Sequence, residues 1–91
     1  MPVAAALQRA LGGPWAVQPL GASGFCSTWR ASGNAQLFVK TLPAADAARL
    51  DAEADGLRAL AAQGVIAVPK VAWCGVDAAS GLAALAMQWL D

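Results

Sequence analysis

Apolar positions along the chain recur at two different spacings, and each spacing predicts a different kind of element. Over Val3–Leu11 they recur every three or four residues, which is typical of a helix, and Gly12–Pro14 ends it. Three short strand-like runs follow at Trp15–Leu20, Phe25–Ala31 and Gln36–Leu42, and glycine-containing breaks separate them. Because breaks this short favour hairpins, the three runs predict an antiparallel meander.

The second half of the chain predicts one long helix and two strands. Pro43–Gln63 predicts a long helix, with Gly64 as its C-terminal stop. Val71–Val76 and Leu82–Leu90 predict two more strands, joined by a turn at Asp77–Gly81. The element order predicts an α+β domain, a five-stranded antiparallel sheet with one long packed helix and a short N-terminal helix. The expected apolar stripe of the long helix is Leu50, Ala54, Leu57, Leu60 and Ala61.

Composition adds a constraint on the surface of this domain. The 91-residue chain is 58% hydrophobic and only 13% charged, whereas soluble domains average roughly 45–50% and about 25%. A domain this apolar is expected to expose more apolar surface than a free monomer should. The composition therefore predicts a partner, a further part of the chain, or self-association through an exposed apolar face.

Charge and the length of the apolar runs argue against two classes of partner. Six basic and six acidic residues give a net charge of zero without a basic stripe, so nucleic acid is not an expected partner. No apolar run reaches the roughly 18–20 residues that a membrane span needs. The N-terminal stretch has no basic leader, so no signal peptide is expected. These features predict a cytoplasmic protein without a membrane partner.

Cysteine and histidine content limits the chemistry further. The chain has no histidine, and its two cysteines, Cys26 and Cys74, are too few and too far apart for a disulfide framework or a zinc site. Histidine-based catalysis is therefore excluded, and no metal ligand is predicted in the chain. Cys74 lies in an apolar strand and is expected to pack in the core.

Two charged residues stand where the local pattern expects apolar side chains. Lys40 ends the apolar run Leu37–Val39, and Glu53 lies at the edge of the predicted helix stripe. An unpaired charge buried at either place is costly, so the two are expected to face each other across the strand–helix junction. For either residue alone, a snorkelling lysine or a solvated glutamate is the alternative.

Small residues fill the break between the first two predicted strands. Gly21-Ala22-Ser23-Gly24 forms this break, and such a loop lets backbone N–H groups approach phosphate oxygens. Most glycine hairpins are merely turns, so a plain turn stays open. The last predicted strand is nearly all apolar and ends in Met87–Asp91. It predicts either a hinge into further structure or a plain final strand.

In this order the glycine hairpin, strand lysine, helix glutamate and hinge strand resemble the small lobe of a protein kinase. The segments FVKTLP, EADGLRALAAQGVIAVPKV and MQWLD are similar to the fructosamine (ketosamine) kinase family, relatives of the aminoglycoside and choline kinases. The most specific part is Glu53–Val71. The resemblance covers the chain from about Leu20 to Asp91.

The resemblance implies ATP as the nucleotide and assigns a role to each matching position. Lys40 would contact the α- and β-phosphates, and Glu53 would hold it in position. Met87 would be the gatekeeper, while the Gln88 carbonyl and the Leu90 N–H would meet the adenine edge. The family usually has glutamate at the Gln88 position, a difference that a backbone contact tolerates. The expected cover over the triphosphate is Gly21, Ala22, Ser23 and Gly24.

The resemblance also implies what lies elsewhere. In this family the catalytic carboxylate and the Mg²⁺ ligands lie in a large helical lobe, and nothing in this sequence resembles their motifs. Residues 1–91 are therefore expected to be an N-terminal, ATP-binding lobe without turnover of its own, and the ketosamine would bind through the absent lobe. An aminoglycoside- or choline-type kinase, or a non-catalytic interaction domain, remain alternatives. The acidic residues expected at helix-surface or turn positions are Asp46, Asp51, Asp55, Asp77 and Asp91.

A redox role for Cys26 is a separate hypothesis. Some relatives carry a redox-active cysteine in the glycine hairpin that can join two subunits. Phe25 takes the equivalent place here, and Cys26 is its neighbour, on the opposite face of a strand. An ordinary strand cysteine is the alternative.

Overall fold

The computed structural model describes residues 2–24, 26–64 and 67–90, and shows the helices and strands in the predicted order. Within these residues the expected α+β architecture is confirmed. The elements are α1 (Pro2–Leu11), β1 (Ala16–Ser23), β2 (Cys26–Ser32), β3 (Gln36–Pro43), a 3₁₀ helix (Ala44–Asp46), α2 (Ala47–Gln63), β4 (Val71–Asp77) and β5 (Leu82–Gln88).

The five strands form one antiparallel sheet in the order β1-β2-β3-β5-β4. The last strand therefore lies inside the sheet, between β3 and β4. It ends at Gln88 rather than at Leu90, so the two residues after it lie outside the sheet. Phe25, predicted to open the second strand, lies outside the described residues.

A helix covers each face of the sheet, and strand β5 is buried between the two helices. Five consecutive residues from Ala83 to Met87 are buried, as expected for a strand covered on both sides. Its alternate side chains contact different clusters. On the first face, Val3 and Leu7 of α1 are buried with Ala84, Ala86 and three residues of β2 and β3. On the second face, Leu50 and Ala54 of α2 are buried with Leu42, Ala83, Leu85 and Met87.

The long helix begins later than predicted and ends at the predicted residue. Pro43 closes β3, and α2 begins at Ala47 after the 3₁₀ turn. Gly64 does end the helix, in the left-handed conformation with φ of 67°, which suits glycine. The predicted apolar stripe is wrong in its second half, because Leu60 is 41% exposed and Ala61 is exposed as well. Only the part of α2 around Leu50 and Ala54 lies deep against the sheet.

An ion pair connects α1 to the β4–β5 hairpin. Arg9 Nε and Nη2 donate to the two carboxylate oxygens of Asp77 at 2.7 and 2.6 Å, and the Ser80 hydroxyl donates to the same carboxylate at 2.6 Å. Asp77, predicted to open the turn, is the last residue of β4, and it is only 8% exposed. The Arg9 guanidinium first, and then Ser80, hold the pKa of this carboxyl well below its usual range.

Among the described residues, no helix is both long and apolar enough to cross a bilayer. The large apolar side chains that remain about half exposed lie in separate places along the chain. They are Leu20, Leu60, Val76 and Leu90. Self-association through an apolar face stays a prediction.

Candidate active site

The face of the sheet that α2 covers carries two neighbouring rows of cross-strand partners. In the first row, Thr28 pairs with Lys40, which pairs with Leu85, and Gly21 adjoins Thr28 from β1. In the second row, Arg30 pairs with Phe38, which pairs with Met87. Residues two apart on a strand share a face and lie roughly 7 Å apart. The register therefore brings the predicted lysine, the glycine hairpin and the predicted gatekeeper onto one surface.

Lys40 and Glu53 meet at the junction of β3 and α2. Lys40 Nζ donates to Glu53 Oε1 at 2.8 Å, and the two side chains are 24% and 38% exposed. Partly exposed ion pairs of this kind contribute only about 0–1 kcal/mol to stability. The second carboxylate oxygen, Oε2, is buried and has no hydrogen-bond partner among the described residues. A buried acceptor without a donor costs about 1–3 kcal/mol, so stability does not account for this glutamate.

The glycine hairpin differs in detail from the predicted loop. Gly21, Ala22 and Ser23 belong to β1, so the connection begins only at Gly24. The strand bulges between Pro19 and Gly21, where Gly21 has φ of 141°, a conformation that favours glycine. A side-chain carbon built at Gly21 or at Gly24 would meet nothing within 4 Å. The space beside both glycines is thus open.

Thr28 is a site residue that the sequence analysis missed. Its hydroxyl donates to the Gly21 carbonyl at 3.2 Å, and its side chain is 8% exposed. It lies beside Lys40 in the same row. This hydrogen bond holds the bulged part of β1 against the row that contains the lysine. The sequence gives no specific signal for it, because β2 contains several other polar residues.

A groove of about 210 Å³ lies at the end of the second row. The three residues predicted to surround an adenine, Met87, Gln88 and Leu90, all line it. Met87 is 6% exposed and forms part of the buried sheet surface, whereas Leu90 is half exposed. The remaining lining residues are Phe38, Pro69 and Trp89. The groove is mainly apolar and has aromatic walls, as a site for a flat heterocycle requires.

A second depression, of about 400 Å³, opens beside the other face of the sheet. It is lined by Gln36, Leu37, Lys70 and their neighbours, and neither Lys40 nor Glu53 contributes to it. Leu37 belongs to the cluster under α1. Lys40 and Glu53 do not line the smaller groove either, but Phe38, which does, lies two residues from Lys40 on the same face of the sheet.

The two cysteines occupy different environments, and both are free thiols. Cys26 begins β2, two residues before Thr28, and its redox role stays a prediction. Cys74 was expected in the core, which is wrong in part: it packs against the α2 cluster, yet its thiol lies partly exposed and donates to Asp51 Oδ1 at 3.4 Å. Burial, and then the Asp51 carboxylate, raise the pKa of the Cys74 thiol to about 11.

No metal centre is evident in residues 2–24, 26–64 and 67–90, where no three potential protein ligands are grouped. Three of the acidic residues have partners of their own: Asp51 accepts from Cys74, Asp55 lies 3.7 Å from Arg58, and Asp77 binds Arg9. Mg²⁺ prefers several carboxylate, phosphate or water oxygens around one point. The described side chains do not fit such a site by themselves.

Comparison with known proteins bears on both the fold and the chemistry. The sequence model of the phosphotransferase enzyme family, APH, matches residues 17–91. Among solved structures, a protein of Haemophilus somnus 129PT, described provisionally as a fructosamine-3-kinase, superimposes with a TM-score of 0.78 and 26% sequence identity. The match covers 98% of this chain and 31% of that protein, so the chain spans about a third of its length. No curated protein matches significantly.

Proposed function

We propose, on the premise that this chain belongs to the phosphotransferase enzyme family, that it is the ATP-binding lobe of a fructosamine (ketosamine) kinase. In this proposal a second lobe, outside these 91 residues, supplies the acceptor site, the catalytic carboxylate and the Mg²⁺ ligands. The lobe by itself has no turnover. A cytoplasmic location is part of the same proposal, because such an enzyme needs the cellular ATP pool.

The observation that carries the proposal is the Lys40–Glu53 contact of 2.8 Å beside an open glycine hairpin. The pair contributes little to stability, and it holds an ammonium group on the same surface as the groove. A lysine held in this way is a localised positive charge that suits phosphate oxygens. Glu53 keeps it in place before the ligand arrives, which reduces the entropy lost on binding.

Three parts of the site each contact a different part of the nucleotide. ATP, when bound, supplies the γ-phosphoryl group that is transferred. The groove beside Met87 takes the base, with the Gln88 carbonyl and the Leu90 N–H at its edge. Lys40 contacts the α- and β-phosphates, and Gly21–Gly24 covers the triphosphate with backbone N–H groups. The contribution of the lobe is positioning and charge stabilisation, which dominate phosphoryl transfer.

The support for a ketosamine acceptor is the similarity to a solved structure, rather than a pocket in this chain. The similar solved structure is described as a fructosamine-3-kinase, and 26% identity over nearly the whole chain favours that branch. Aminoglycoside- and choline-type kinases share the lobe layout and differ mainly in the acceptor half. The coding sequence after residue 91 tests the two-lobe part, since a catalytic lobe in the same frame is expected.

Nucleotide binding by the chain tests the role of the lobe directly. Titration of the wild-type chain with a fluorescent ATP analogue is expected to show binding, and Lys40→Ala is expected to weaken it roughly 10- to 100-fold, as for loss of a charge-assisted hydrogen bond. Glu53→Gln is expected to weaken it less. Arg58→Ala and Asp55→Asn remove the same charges from the exposed face of α2 and are the matched controls.

Either of two results would contradict the proposal. One is a wild-type chain that is folded and does not bind the nucleotide at millimolar concentration. The other is binding that Lys40→Ala and Arg58→Ala weaken equally, since the site would then lie elsewhere. The first result would favour a non-catalytic interaction domain.

A further inference from the structure

Three residues at the groove end of the sheet form a closed ring of contacts. The Arg30 guanidinium lies over the Trp89 indole, 4.3 Å from its centre. Arg30 Nε also donates to Gln36 Oε1 at 3.2 Å. The Trp89 backbone N–H donates to the Gln36 carbonyl at 3.1 Å. Each of the three residues thus touches the other two, and the ring joins β2, β3 and the segment after β5.

The ring holds one wall of the groove in place. Trp89 lines the groove, and its ring lies 6.2 Å from that of Phe38, tilted by 45°. Arg30 and Phe38 are cross-strand partners on the same face of the sheet. The indole therefore lies close to both members of this cross-strand pair. Arg30 itself is absent from the groove lining.

We propose that Arg30 is a positioning residue for the nucleobase, which it serves by fixing Trp89 as a wall of the groove through the ring of contacts with Gln36. The inference rests on the proposed function, because it takes the groove to be the site of the base of ATP. Arg30 does not contact the ligand. Its effect on binding passes through the indole.

Preorganisation is the physical reason for such an arrangement. Trp89 follows the last residue of β5, and its backbone N–H is bonded to Gln36 of β3, so the orientation of the indole depends on its side-chain contacts. A large side chain that becomes ordered only when ligand binds reduces affinity. Stacking of guanidinium on indole, backed by a hydrogen bond to Gln36, orders the wall beforehand. The same rigidity lets the groove distinguish a purine from a smaller base.

The test separates the base from the phosphates. Competition against a fluorescent ATP analogue yields dissociation constants for ATP, UTP and inorganic triphosphate. Arg30→Met keeps the length of the side chain and removes its charge and its hydrogen bonds. It is expected to weaken ATP binding roughly threefold to tenfold, to reduce the preference for ATP over UTP, and to leave inorganic triphosphate unchanged. Lys40→Ala is expected to weaken ATP and triphosphate together.

Two further variants distinguish positioning from general damage to the fold. Arg30→Lys keeps a cation over the indole and loses the planar fork, so ATP affinity is expected to lie between those of wild type and Arg30→Met. Arg30→Met combined with Trp89→Leu is expected to be no weaker than Trp89→Leu alone, because Arg30 acts through the indole. Melting temperatures identify any variant that unfolds. If Arg30→Met is unfolded, the ligand affinities of Arg30→Lys test the positioning role in its place.

The results separate this inference from the proposed function. The positioning role is wrong, and the nucleotide site stands, if Lys40→Ala still weakens binding while Arg30→Met, or Arg30→Lys in its place, weakens ATP and triphosphate equally or leaves ATP binding unchanged. Additive effects of Arg30→Met and Trp89→Leu would also overturn it. A wild-type chain that binds none of the three ligands would overturn both.

Discussion

At the scale of single residues, the most informative feature is a carboxylate whose two oxygens differ. One carboxylate oxygen of Glu53 accepts a hydrogen bond from Lys40. The other is buried and has no partner among the described residues. Sequence alone could predict that Lys40 and Glu53 face each other, because both charges interrupt apolar patterns. It could not predict the unpaired oxygen, since that depends on which atoms of neighbouring elements surround it. Buried acceptors of this kind are rare enough to need an explanation.

Cys74 provides a residue-scale prediction about reactivity. Its pKa is raised from 9.0 to about 11, so the thiolate fraction near neutral pH is about 100-fold smaller than for an unperturbed thiol. In the Cys26→Ser variant, reaction of Cys74 with an aromatic disulfide is expected to be correspondingly slow and to rise with pH up to about 11. Asp51→Asn should accelerate it, because the negative charge beside the thiol is removed and an amide oxygen is a weaker acceptor than a carboxylate. A rate at neutral pH equal to that of a free cysteine would contradict this.

At the scale of elements, α2 shows how far apolar periodicity can be relied on. The stripe predicts the buried residues Leu50 and Ala54, and it fails at Leu60 and Ala61, which are exposed. Periodicity reports which side of a helix is apolar, whereas contact depends on where the axis of the helix leaves the sheet. Leu57 and Ala61, together with Val71 at the start of β4, line an open depression of about 240 Å³ where the two elements diverge.

The ion pair between α1 and the β4–β5 hairpin makes a prediction about pH. The folded-state pKa of Asp77 lies below its ordinary value of 3.8, so the ionised form is favoured by folding. This contribution to stability is present above that ordinary value and is lost as the pH falls through the folded-state pKa. Urea unfolding between about pH 5 and pH 2 is expected to show a steeper loss of stability for wild type than for Asp77→Asn.

Asp55→Asn is the control for this pH dependence, because Asp55 is an exposed carboxylate with a single long contact to Arg58. It is expected to retain the wild-type slope. Equal slopes for wild type and Asp77→Asn would mean that the contact of Asp77 with Arg9 and Ser80 is not formed in solution. Arg9→Met should behave like Asp77→Asn, though less strongly, since the Ser80 donors remain.

At the scale of the whole molecule, two apolar clusters share one sheet and are separated only by its thickness. Val39 and Leu85, both fully buried, lie in adjacent strands and belong to opposite clusters. Domains of this size are stable by only about 5–15 kcal/mol, so neither cluster is dispensable. The nucleotide-binding surface proposed here lies on the α2 side, and the helix on the other side stabilises the strands that position it.

Truncation of a residue in the α1 cluster tests this dependence. Leu7 is fully buried against the sheet, and Leu7→Ala is expected to lower the free energy of unfolding by about 2–4 kcal/mol, in a single urea transition. Leu60→Ala removes the same atoms from an exposed position and should cost less than about 1 kcal/mol. If both variants unfolded alike, α1 would not belong to the cooperative core.

The sequence by itself determined the order of the elements, the five strands, the buried character of β5 and the two charges that identify the candidate site. These follow from spacings of two and of three to four residues, which are local properties of strands and helices. Tertiary structure alone decided that Arg9 meets Asp77 across 68 residues of sequence. It also decided that Thr28 adjoins Gly21 and that the Arg30 guanidinium lies over the Trp89 ring. Such contacts depend on strand register and on the path of the chain between elements, and local spacing does not encode either of them.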